Sequence, residues 1–217
     1  MTEIPLRGFT PPQSTGEGAV SPAALRLHLG CGRTILPGWV NVDQVQLPGV
    51  DVVADLEQCR SKPLPFGEDS VDEFLMSHVI EHVRDTLGLM QELHRIAKVG
   101  ALLVARTPYG SSDDAWEDPT HVRPYFIQSW GYFSMPYWWR TDLGYRADWQ
   151  PETLRLAVDE DETRGLDPHT LLRKVLRERN FVQEMIVTLR AVKPIRGPKR
   201  ELQILPKIEF LRRKRAS

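Results

Sequence analysis

The sequence predicts an α/β fold built on a mostly parallel sheet. Three observations carry that expectation. Short apolar or β-branched runs recur at residues 25–29, 39–43, 51–55 and 71–76, each ending in turn-forming residues. A stripe at helical spacing follows the fourth run: Val79, Val83, Leu87, Met90, Leu93, Ile96 and Ala97. Residues 101–105 are then almost continuously apolar, which suits a central parallel strand buried on both faces.

Residues 1–24 are rich in Pro, Gly, Ser and Thr and lack periodic apolar positions, so a flexible arm is expected there. The first strand breaks at Gly30-Cys-Gly32. Two missing side chains at a strand end let a ligand approach the backbone and permit φ values that other residues resist. Residues 33–38 are too few for a helical crossover to the second strand, so only a vestigial first helix is expected. The second strand ends in Asp43. A strand, a bare glycine turn and an acid at the next strand tip suit an adenosine, whose ribose hydroxyls both donate to the carboxylate. The nicotinamide dinucleotide fingerprint instead wants roughly 20 residues from glycines to acid.

Residues 51–55 read as the third strand. Asp55 at its end stands to meet an adenine amine or to cap a short turn, and Leu56 to pack on the adenine face. Two prolines make residues 63–66 extended. The helix of residues 79–97 is expected to end at Gly100. Later, residues 153–158 suggest a strand. Asp167 caps a helix starting at Pro168, with Leu171, Leu172, Val175 and Leu176 as its apolar face. Residues 181–192 form the last strand.

The strand tips carry further chemistry. His78-Val-Ile-Glu-His82 matches H-x-x-E-H, a spacing also found in zinc proteases. His121 lies between Pro119 and Pro124 after the fifth strand and is the candidate base for an acceptor proton, with His78 as the other. Arg123 suits an anionic acceptor, or pairs with Asp113, Asp114 or Asp118. Those acids beside His121 show no convincing ligand spacing, so no metal site is expected. All five tyrosines and five of the six tryptophans lie in residues 109–149, which reads as an aromatic lid over the acceptor or as a satellite core. Tyr109, Tyr125 and Trp130 join Arg123 as candidate acceptor contacts.

These segments resemble a known family. His28-Leu-Gly-Cys-Gly32, Leu36-Pro-Gly-Trp-Val-Asn-Val-Asp43, Asp51-Val-Val-Ala-Asp55, Leu64-Pro-Phe66 and Ser77-His-Val-Ile-Glu-His82 look like class I S-adenosylmethionine-dependent methyltransferases, in particular the small type 11 group. The resemblance implies a doubly wound, mostly parallel seven-stranded sheet of the Rossmann-like kind. It places S-adenosylmethionine on Leu29, Gly30, Cys31, Gly32, Asp43, Asp55, Leu56, Ser77 and His78, with Glu81 and His82 behind the pocket. The chain departs from the family at His28, where many members carry an acid, and at Thr34, where they carry a third glycine. The expected activity is methyl transfer to a small-molecule or sugar acceptor, at a hydroxyl. The alternatives are a nicotinamide oxidoreductase, a zinc hydrolase using His78 and His82, and a non-catalytic adenosyl-binding relative.

Composition bounds the setting. Hydrophobic residues at 41% and charged residues at 26% are ordinary for a globular domain. No apolar run approaches the roughly 20 residues of a membrane span. Cys31 and Cys59 form no disulfide framework or CxxC pair, so a reduced, cytoplasmic protein is expected. The domain is expected over residues 25–193, with the lid at about 107–150. Residues 194–217 are read as a basic tail: from Lys193 onward nine Lys or Arg face two Glu. Solvation of that tail is the plain reading, and an anionic membrane surface, a nucleic acid or an acidic partner are the sharper ones. Loss of soluble protein on deleting the tail would show instead that Leu202, Ile204, Leu205, Ile208 and Phe210 dock on the core. Nucleic acid is not the expected partner.

Overall fold

The computed structural model describes residues 24–214, so the expected arm at residues 1–24 lies, but for its last residue, outside the described residues. Eight strands make one sheet: β1 (Arg26–Leu29), β2 (Val40–Asp43), β3 (Val52–Val53), β4 (Val71–Ser77), β5 (Ala97–Pro108), β6 (Trp149–Asp159), β7 (Val182–Ala191) and β8 (Lys207–Arg213). Their order is β3-β2-β1-β4-β5-β7-β6-β8. β1 to β5 pair in parallel, and β7 runs antiparallel between β5 and β6. The seven expected strands are all present, and β8 extends the sheet beyond them.

The β1–β2 connection confirms the vestigial helix. A four-residue strand is only ~13 Å long, so an irregular loop suffices to return the chain for parallel pairing. Asn41 holds that loop. Its amide oxygen accepts from Leu36 N at 2.9 Å, and its amide nitrogen donates to Leu36 O, Trp39 O and Asp51 Oδ2. His28, the first departure from the family, is buried against Asn41 with its Nδ1 3.3 Å from Oδ1, and burial lowers its pKa.

The helix layer is thinner than the sequence suggests. Helix α1 covers Thr86–Ile96, seven residues later than its expected start. Residues Ile80–His82 form a 3-10 turn, and Asp85 caps α1 by accepting from Gly88 N at 2.9 Å. Gly100 does not end the helix. It sits inside β5 at φ +78°, close to a register shift against β4. Helix α2 (Asp114–Glu117) is a single turn. Helix α3 (Pro168–Val175) starts as expected, with Asp167 accepting from His169 N and Thr170 N. Leu171 and Val175 are buried, whereas Leu176 is 70% exposed and off the core face.

Two expectations are corrected here. The aromatic segment is largely core: Tyr125, Trp130, Phe133, Tyr145 and Trp149 are all buried. Trp149 meets Phe74 edge-on at 5.9 Å and donates its indole N–H to Met90 O at 2.9 Å. The area such rings remove from water explains why they fill the space beside α1, while Phe126 and Tyr132 of the same segment stay exposed and line a cavity. The basic tail is likewise built into the sheet over β8. Leu154 pairs with Ile208 and Leu156 with Phe210, and both partners pack against the core. Alternation along β8 puts Lys207, Glu209 and Arg213 on the face opposite Ile208 and Phe210, and Arg213 pairs with Glu184 at 3.1 Å. Leu202, Ile204 and Leu205 stay exposed. No described helix is long and apolar enough to cross a membrane.

Candidate active site

Two turns at the C-terminal ends of the parallel strands build the site. The first follows β1. Gly30 and Gly32 have φ of +62° and +54°, where side chains are strained. Their surroundings differ. A Cβ on Gly30 would lie 2.5 Å from Val79 Cγ2, so Gly30 lets this turn pack on the next one. A Cβ on Gly32 would meet nothing within 4 Å, so open space lies over the turn there. Asp43 is aimed at that space. One carboxylate oxygen accepts from Gly32 N at 2.8 Å and the other from Val45 N at 3.0 Å. Each oxygen keeps a second lone pair, which suits a pair of vicinal hydroxyls. Leu29 and Cys31 are buried, so they offer the ligand backbone only. Asp55 accepts from Glu57 N and Gln58 Nε2, both at 2.9 Å, and so caps its own 3-10 turn. Leu56 is buried at the start of that turn.

The second turn follows β4. Ser77 ends the strand, and His78 takes φ +55°. That backbone points the imidazole at two carboxylates: Nε2 lies 3.1 Å from Glu184 Oε1 and Nδ1 lies 3.4 Å from Glu81 Oε1. Bonding to Glu184, then to Glu81, pulls the His78 pKa up to about 9. Burial alone would raise the pKa of Glu184, but His78 and Arg106 overcome it and hold it at about 2. His78 is therefore a bound imidazolium at neutral pH and not a base, which corrects its catalytic assignment. The same geometry removes the His78–His82 zinc pair. A left-handed residue followed by a 3-10 turn does not put positions i and i+4 on one helical face.

The loop after β5 folds onto this turn. Val122 N and Arg123 N donate to Glu81 O at 2.8 and 3.3 Å, and the Tyr125 hydroxyl reaches Ile80 O at 3.5 Å. His121 thereby meets His82 with ring centroids 4.7 Å apart.

Residues 15–105 match a family model described as a methyltransferase domain, of the type 11 group. The crystal structure of a SAM dependent methyltransferase from Archaeoglobus fulgidus has a TM-score of 0.56 to this chain, over 78% of this chain and 86% of its own, at 16% identity. The fold is that of a class I S-adenosylmethionine-dependent methyltransferase. Other similar structures are a putative methyltransferase of Bacillus halodurans (15% identity, 79% and 96% covered, TM-score 0.46) and a putative methyltransferase of Haloferax volcanii in complex with the Trm112 methyltransferase activator (13%, 78% and 83%, 0.47). Those two lie too far away to add to the argument. No curated protein matches the chain in sequence. The glycine turn, its open face and Asp43 fit S-adenosylmethionine as the cofactor.

Of the residues expected to contact an acceptor, Arg123 is exposed and lines a cavity of about 570 Å³ with Arg84, Phe126, Tyr132 and Trp138. Tyr109 is largely buried but borders a second, mostly apolar cavity of about 710 Å³ against α3 and the approach to β8. Tyr125 is 1% exposed and stacks on Trp130 at 5.0 Å. Trp130 is fully buried and borders neither of these cavities, so its expected acceptor contact is corrected to a core role. Sequence reading missed Arg84, Arg106 and Glu184. Glu184 carried a signal, since a carboxylate sits there among the apolar residues of β7. Arg84 carried none.

Proposed function

We propose that this methyltransferase acts on a small-molecule or sugar acceptor at a hydroxyl, and that the acceptor enters through the cavity of Arg84 and Arg123. The observation that carries the reading is the seam between the turn after β4 and the loop after β5. It brings His121 and Arg123 to the strand tips on which the cofactor turn also sits. Neither Arg84 nor Arg123 makes an ion pair among the described residues, so both guanidinium groups remain available to an anionic group on the acceptor. Phe126, Tyr132 and Trp138 give the cavity faces suited to a sugar ring.

Gly30, Gly32, Asp43, Leu56 and Ser77 would hold S-adenosylmethionine, which supplies an electrophilic methyl group when bound. His78 and Asp55 serve that surface indirectly, His78 through its pair with Glu184 and Asp55 by capping the turn that carries Leu56. The chain's remaining task is to align the acceptor oxygen and to relieve it of its proton. With His78 excluded, His121 is the residue that activates the hydroxyl, and Arg123 positions the acceptor. Tyr109 borders the neighbouring cavity and shapes the far wall. We place the protein in the cytoplasm, since Cys31 and Cys59 are both free and buried.

The test has two stages. S-adenosylhomocysteine should raise the melting temperature, as a ligand of the native state does, and NAD should not. No shift with S-adenosylhomocysteine at millimolar concentration overturns the reading. Acceptors are then screened by release of S-adenosylhomocysteine. For an acceptor found in this way, Arg123→Ala should raise KM about 10-fold or more, as expected from loss of a charge-assisted bond worth roughly 1.5–3 kcal/mol. An unchanged KM removes Arg123 from the acceptor site.

A further inference from the structure

Glu81, His82 and His121 each offer a ligand atom, and these atoms lie within 4.8 Å of one another. Proximity alone would carry little, but the polar groups around this cluster are left incomplete in a particular way. Glu81 is 2% exposed, and neither of its carboxylate oxygens has a hydrogen-bond partner among the described residues. His78 Nδ1 stands 3.4 Å from Oε1 as an ion-pair partner, which leaves Oε2 with neither ion pair nor hydrogen bond among the described residues, and buried carboxylate oxygens are normally hydrogen-bonded or bound to a metal. The His121 side chain is 9% exposed, and its Nδ1 is also buried without a partner.

The third member has its tautomer set by its neighbours. The Thr120 hydroxyl donates to Asp118 Oδ1 at 2.6 Å, so towards His82 it can only accept. His82 Nδ1 lies 3.0 Å from that hydroxyl and 3.3 Å from Thr120 O, two acceptors. Nδ1 therefore carries the proton, and the Nε2 lone pair is open. A metal-ligating histidine typically shows this arrangement, with its far N–H anchored on a carbonyl or a carboxylate-linked group. Asp118 also stands 3.9 Å from His121 Nε2, on the side away from the unpartnered Nδ1.

We propose that Glu81, His82 and His121 bind one divalent transition-metal ion, zinc in the first instance. Two imidazoles and one carboxylate suit zinc and its late first-row neighbours, whereas magnesium and calcium prefer all-oxygen sites. Donor atoms around a tetrahedral zinc stand ~3.3 Å apart for bonds of about 2.0–2.1 Å. On this proposal the present span of up to 4.8 Å would close to that by side-chain rotation. The backbone is already held, because Val122 N and Arg123 N bond to Glu81 O. His78 plays no part as a ligand, since its Nε2 faces Glu184.

Three protein ligands leave one position open, as in catalytic rather than structural zinc sites. Arg84 and Arg123, each two residues beyond a proposed ligand, border the acceptor cavity. The open position therefore suits an acceptor hydroxyl, whose proton the ion would acidify. That last step rests on the methyltransferase reading, and the ion site itself does not. On this account His121 activates the acceptor as a ligand and not by taking up a proton.

The experiment titrates chelator-treated, dialysed full-length protein with Zn2+ by calorimetry and with Co2+ by visible absorption. One ion per chain is expected, together with the intense d–d bands of tetrahedral Co2+. Glu81→Gln, His82→Gln and His121→Gln should each weaken binding by about 100-fold or more. Near-UV circular dichroism and S-adenosylhomocysteine binding are measured on the same samples. Wild-type protein that binds S-adenosylhomocysteine but neither metal overturns the site and leaves the methyltransferase reading standing. Variants that keep native dichroism and bind Zn2+ like wild type also overturn it. Metal binding that is lost in the variants, without S-adenosylhomocysteine binding in the wild type, supports the site and overturns only its link to methyl transfer.

Discussion

The turn after β1 and the turn after β4 touch each other at Gly30 and Val79, yet they are finished to different degrees. Around the first, the polar groups close on one another. Asp43 holds two backbone N–H groups, and the Asn41 side chain makes four hydrogen bonds to Leu36, Trp39 and Asp51. Around the second, Glu81 keeps only an ion pair with His78 at 3.4 Å, and it and the inner nitrogen of His121 are buried with no hydrogen bond among the described residues. A closed network holds a surface ready for a ligand that adds contacts to it. An open one is a surface whose stability depends on what it binds. On the proposed function, the difference teaches that cofactor recognition would be built into the backbone of the first turn, while acceptor recognition would depend on side chains from two distant segments.

The largest effect is expected where the two turns meet. Gly30→Ala places a Cβ 2.5 Å from Val79 in a left-handed conformation, and strain with overpacking should cost about 2–5 kcal/mol in urea unfolding. Gly30→Ala combined with Val79→Ala should recover the packing part and leave the conformational part. If the single variant is as stable as wild type, the two turns are not packed as described.

Asp43→Ala comes next. It should weaken S-adenosylhomocysteine binding by about 1.5–3 kcal/mol, the worth of hydrogen bonds to a charged group, with the protein still folded. Calorimetry showing unchanged affinity would move the ribose contact away from Asp43.

Asp55→Ala should have the smallest effect. Its carboxylate caps a short turn, so about 1 kcal/mol of stability should be lost. Cofactor affinity should change by less than for Asp43→Ala. An equal or greater loss of affinity would return Asp55 to direct contact with the adenine.

Legibility followed the range of the interactions. The glycine turn, Asp43 and the vestigial first helix were readable because each is set by residues within about 20 positions, through φ preference, strand length and alternation. The α3 start was readable for the same reason, since Asp167 and Pro168 act on their own helix. The start of α1 was misplaced because the apolar stripe continues through residues 79–83, where tertiary packing on Gly30 favours a 3-10 turn over a first helical turn. The aromatic segment was ambiguous because large rings suit a lid and a core alike, and only the space beside α1 decides between them.

The sequence by itself determined the α/β class, the family resemblance and the cofactor turn. All three rest on local backbone preference and on strand periodicity, which neighbouring residues carry. Tertiary structure alone decided that His78 pairs with Glu184, 106 positions away, and that His82 meets His121 across 39. It also decided that the basic C-terminal segment becomes β8. Each of these depends on which distant group fills the remaining space or balances the remaining charge, and no local pattern encodes that choice.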